Sequence, residues 1–103
     1  MTATQTPDVT ARFAGLAADW KARSRHMSNV AQMAMLRPYQ QIIGLGPAAV
    51  PLLLGELARE PDQWFWALEA ITGEDPVPDE AAGRVAEMAR AWLEWGRARG
   101  LTP

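Results

Sequence analysis

The stretch Tyr39–Gly73, YQQIIGLGPAAVPLLLGELAREPDQWFWALEAITG, does most to limit what this chain can fold into. It divides at Gly44-Leu45-Gly46-Pro47 and again at Arg59-Glu60-Pro61-Asp62. Both are turn signals, because glycine tolerates left-handed backbone and proline cannot extend a helix. Between them apolar residues recur at spacings of three and four. Tyr39, Ile42 and Ile43 form the first group, Val50, Leu53, Leu54 and Leu57 the second, and Trp64, Leu68 and Ile71 the third. That period belongs to helices with one buried face. Phe65 and Trp66 widen the last stripe until the segment is apolar nearly all round, which suits a central helix or a contact surface.

The flanking segments repeat the pattern. Val9, Phe13, Leu16 and Trp20 predict a helix over 8–23, opened by Thr6 as N-cap, Pro7 and Asp8. Ser28 is the expected cap of a second helix running to Leu36, where Pro38 disfavours helical geometry at Arg37. Pro51 falls in the first turn of the helix expected over 48–59, where a missing N–H costs little. After the Pro- and acid-rich loop 73–78, Asp79 is expected to cap a last helix over 80–98, weakened by Gly83 and stopped at Gly100. Alanine is abundant while isoleucine and valine are scarce, which favours helix over sheet. The expected fold is therefore all-α, a compact bundle of about five to six helices. Residues 1–6 read as a flexible N-terminus, 7–99 as one all-α domain, and 100–103 as a C-terminal tail.

The run Ile42-Ile43-Gly44-Leu45-Gly46, followed by Pro47-Ala48-Ala49-Val50-Pro51-Leu52-Leu53 and closing at Glu56-Leu57, resembles a HEAT-like α-helical repeat. The resemblance covers Tyr39 to Leu57, with Trp64–Ile71 as the first helix of an incomplete next unit. It implies HEAT-like helix-turn-helix packing and says nothing of chemistry. A solenoid needs about three repeats to bury its core, so the first and last helices would act as caps of a bundle. The wider pattern, with Trp64-Phe65-Trp66-Ala67-Leu68, Ile71-Thr72-Gly73, Asp75-Pro76-Val77 and Trp92-Leu93-x-Trp95-Gly96, resembles a group of small uncharacterised bacterial proteins.

Composition narrows the function classes. The chain has no cysteine, which excludes disulfides and thiolate metal sites and fits a reducing cytoplasm. Its N-terminus lacks the basic and apolar regions of a signal peptide, and no apolar run reaches the roughly 20 residues of a membrane span. The single histidine, His26, has no converging ligands, and Ser24 and Ser28 beside it lack a base held by a third group. Glu74, Asp75, Asp79 and Glu80 lack the ligand spacing of a calcium loop, and two prolines interrupt them. Gly44, Gly46 and Pro47 lack the lysine and preceding strand of a phosphate loop. No cofactor, metal or catalytic residue is expected, and the chain is not read as an enzyme.

Charge is unevenly spread. Residues 1–40 carry five Lys or Arg against two acids, whereas 41–83 carry one against eight. Lys21, Arg23, Arg25 and Arg37 are the candidate nucleic-acid contacts. A helix-turn-helix reader needs polar and basic side chains on its second helix, however, and 48–59 offers almost only Ala, Val, Leu and Pro. The net charge of −2 also argues against a general polyanion binder.

Five tryptophans in 103 residues are unusual. Trp20, Trp64 and Trp92 are expected in the core. Phe65, Trp66, Glu74 and Asp75 are the candidate contacts for another protein, because aromatics dominate binding hot spots and an acidic surface speeds association with a basic partner. The same patch would equally serve a homodimer. The reading is a small protein-binding module of the adaptor, antitoxin or immunity type, acting by stoichiometric contact. A nucleic-acid-associated regulator using the basic N-terminal half is the alternative.

Overall fold

Asp8 opens the first helix: its extended backbone and its carboxylate, which accepts from the Thr10 amide at 3.0 Å, are those of an N-cap. Thr6 and Pro7, expected to do this, fall outside residues 8–102, which this computed structural model describes. Helix α1 covers Val9–Ser24. The short α2, Val30–Ala34, is capped by Asn29, whose side chain accepts from the Gln32 amide at 3.0 Å. Asn29 thus takes the place expected of Ser28.

Helix α3, Arg37–Gly44, carries Pro38 in its first turn. The pre-proline constraint acts on Arg37, yet the break falls one residue earlier. Leu36 is extended and Arg37 is already helical, because the helix begins there and does not continue from α2. A short 3-10 turn over Gly46–Ala49 leads into α4, Val50–Arg59, with Pro51 in its first turn as expected. The chain changes direction by 111° between α3 and this second segment. Helix α5 covers Phe65–Thr72 and α6 covers Val85–Ala98. The expected helix start at residue 80 is displaced. Asp79–Ala81 forms only a 3-10 turn, and Gly83, at φ +85°, takes a left-handed conformation that interrupts any helix through it.

Among the described residues the fold is all-α, six α-helices with no strand. α1 packs along α3, α3 along α5, and α4 against α6. Aromatic rings fill the space where α1, α3 and the start of α5 meet. The Trp20 and Trp64 centroids are 4.4 Å apart, Tyr39 stacks on Trp64 at 5.8 Å, and Phe13 reaches Trp64 at 6.1 Å. Trp20, Trp64 and Trp92 are all fully buried, as their spacing predicts. Truncating one such ring to alanine typically costs about 3–5 kcal/mol.

At the C-terminus Gly100 adopts φ +70°, so its amide reaches the Arg97 carbonyl and the Leu101 amide reaches that of Gly96. This paired closure of a helix end requires left-handed backbone at the glycine. It turns Leu101 and Thr102 back toward α4, so they are half-buried and not a free tail. No single helix among the described residues is long and apolar enough to cross a membrane.

Candidate functional site

Helix α5 has two faces because Trp64, Ala67, Leu68 and Ile71 point one way while Trp66, Glu69 and Ala70 recur at i, i+3 and i+4 on the other. The adjacent aromatics therefore part. Phe65 is buried at 4% exposure, whereas Trp66 keeps 43% of its surface in water. Trp66 borders an open groove of about 520 Å³, walled by Val30 of α2, by Trp66, Glu69 and Ala70 of α5, and by Met88 of α6. Phe65 and Gln63 complete the lining. Among the described residues three large apolar side chains remain exposed, Val30, Met35 and Trp66, and two of them line this one groove.

Among the described residues Glu69 is the only charged one in the lining. It makes no ion pair among the described residues. Partial burial raises its carboxyl above the usual carboxylate range, and the charge of Asp75 adds to that. Sequence reasoning did not single out Glu69. Its spacing of three from Trp66 on a helix was the available signal.

The two candidate contact acids, Glu74 and Asp75, are engaged within the chain. The Glu74 carboxylate accepts from the Trp95 indole at 3.2 Å and from Arg99 at 3.3 Å, and the Arg99 guanidinium lies 4.4 Å from the Trp95 ring centroid. This cluster ties the 73–78 loop to α6. Asp75 accepts from the Val77 amide at 3.1 Å, closing a local turn. Both residues stay exposed, on the loop that follows α5.

Of the four basic candidates, two are held by acids. Lys21 donates to Glu56 at 2.8 Å and to Glu60 at 3.1 Å, and Arg23 donates to Asp19 at 2.8 Å. Arg25 lines a polar recess with Ser24, Met27, Glu60 and Asp62, while Arg37 is exposed at the start of α3. Helix α4, the second helix of the turn pair, buries Val50, Leu53, Leu54, Glu56 and Leu57, so its inner face is committed to the core. His26 is exposed, and no group of three or more His, Asp or Glu among the described residues is placed to hold a metal ion.

The groove can therefore desolvate an apolar side chain against Val30, Trp66 and Met88 and present one carboxylate to whatever accompanies it. Comparison with protein-family models, with curated proteins and with solved structures finds no match to this chain.

Proposed function

We propose that this chain is a small, cytoplasmic, non-catalytic protein-binding module with HEAT-like helix packing, acting by stoichiometric contact through the α2–α5–α6 groove. The observation that supports this reading is the shared placement of Val30 and Trp66. Large apolar side chains scattered singly over a surface mean little, but two that line one groove beside Met88 form a ready contact. A tryptophan at the edge of such a groove suits an anchor residue, because its large ring loses few rotamers on binding.

The test is a paired capture from the cells that make the protein, with tagged wild type and tagged Trp66→Ala. One protein co-purifying at a fixed ratio with the wild type, and depleted about tenfold or more by Trp66→Ala, is the expected result; a hot-spot loss of at least 1.4 kcal/mol corresponds to that factor. Equal recovery by both baits would remove the groove from the contact. The substitution truncates a half-exposed ring, so circular dichroism should show an unchanged helix content.

A further inference from the structure

We propose that the groove receives a protein segment carrying a large apolar side chain with a Lys or Arg beside it, the apolar group lying against Val30 and Met88 and the cation between the Trp66 indole and the Glu69 carboxylate. The inference rests on the protein-binding reading and goes further by naming the partner's chemistry and the residue that selects it.

Placement comes first. Side chains three apart on a helix are neighbours, and each leans toward the helix N-terminus, so Glu69 is directed toward the turn that carries Trp66. Both line the same groove. An indole face and a carboxylate side by side attract a cation by two routes, ring quadrupole and formal charge.

Charge decides between occupants. Glu69 makes no ion pair among the described residues, and the lining holds no Lys or Arg. Residues 41–83, which contain α5 and the loop after it, carry one basic residue against eight acids. A neutral or acidic segment would cover the Glu69 carboxylate without compensating it, which costs the desolvation of an unpaired charge. A basic one supplies the missing counter-ion. A second copy of the chain is disfavoured by the same logic, because a two-fold interface pairs this patch with an identical one, and among the described residues the lining has no Lys or Arg to meet Glu69. A nucleic-acid phosphate would meet the same negative charge.

The probe is a displayed library of random peptides selected against the full chain, and in parallel against Trp66→Ala and Glu69→Lys. Wild type should enrich peptides that pair an aromatic or long aliphatic residue with a nearby Lys or Arg, and Trp66→Ala should lose them. Glu69→Lys should switch the preference to acidic peptides. For one enriched peptide, Glu69→Gln should weaken binding about fivefold, as expected of a partly exposed ion pair. Replacing the peptide's cation by Gln should have the same effect, and the two changes together should add little more. Peptides that need Trp66 yet show no basic preference, or that ignore Glu69→Gln, would overturn the inference while leaving the binding module standing. A dimer in sedimentation that Trp66→Ala dissociates would overturn it in favour of self-pairing. The absence of any peptide dependent on Trp66 would overturn both the inference and the reading beneath it.

Discussion

The Tyr39 hydroxyl donates to the Gln63 carbonyl at 2.9 Å and accepts from the Ala67 amide at 2.9 Å. Ala67 is the third residue of α5, whose N-cap position holds Trp64, a side chain with no oxygen to offer. A phenol from α3 thus does the work that a capping Ser or Asp does elsewhere. Tyr39→Phe keeps the ring stacked on Trp64 but leaves a buried amide unpaired, and chemical denaturation should show a loss of about 1–3 kcal/mol. Burial pushes the Tyr39 hydroxyl above the ordinary tyrosine value of 10.0. Above that value the unfolded chain ionises first, so the fold loses stability as pH rises, and Tyr39→Phe should show a shallower alkaline decline. Glu69 gives the opposite kind of contrast at acid pH. Its folded carboxyl is raised by burial and then by Asp75, so the folded state holds its proton more tightly and stability falls as pH climbs through that range. Glu69→Gln should therefore melt higher than wild type at neutral pH, with the gap closing in acid. A variant that melts lower at pH 7 would mean that the carboxylate is compensated after all.

At the level of elements, two glycines in helices ask opposite things of their surroundings. A Cβ on Gly96 of α6 would lie 2.5 Å from Leu54 Cδ1 and 3.2 Å from Thr102 Cγ2, and Leu54 is fully buried, so its side chain must shift to make room. A Cβ on Gly55 of α4 would meet nothing within 4 Å. Gly55→Ala should stabilise by about 0.5–1 kcal/mol through helix propensity. Gly96→Ala gains the same propensity but displaces Leu54 from the α4–α6 contact, and overpacking of about 1–3 kcal/mol should leave it less stable in a thermal melt. The apolar stripes of these helices were legible, because Leu53, Leu54, Leu57 and Leu68 recur at helical spacing and all four are buried. Helix starts were less so. Ser28 and Asn29 are both good caps, and only the extended backbone at Asn29 decides between them. Asp79 looked like a cap for α6, but Gly83 at positive φ defers the helix to Val85.

At the scale of the whole molecule, the candidate site was only half legible for a related reason. The divergence of Phe65 and Trp66 depends on the rotation of α5 about its axis, which Tyr39 and the Trp20–Trp64 contact set from outside the helix. The isolation of Glu69 depends on where the chain's cations go. Many of them are spent elsewhere, and Lys21 is the most consequential. It links α1 to α4 across 35 residues by meeting Glu56, whose side chain is only 9% exposed, and it reaches Glu60 as well. The hydrogen bond to Glu56 raises Lys21 above its ordinary range despite partial burial. The stability this supplies is fully present below the unfolded value of 10.5 and is lost as pH rises through the folded one. Arg59 also meets Glu56, but from a side chain that is 72% exposed. Lys21→Met would leave a nearly buried carboxylate with only that outer partner, and a loss of about 1–3 kcal/mol is expected in denaturant unfolding. The Arg23–Asp19 pair is the control. Both partners are about half exposed, one turn apart on α1, and Arg23→Met should cost only about 0.3–0.5 kcal/mol. Equal losses from the two substitutions would mean that Glu56 draws its compensation from Arg59 and solvent, and that the Lys21 link adds nothing to the packing of α1 on α3 and on the turn before α4.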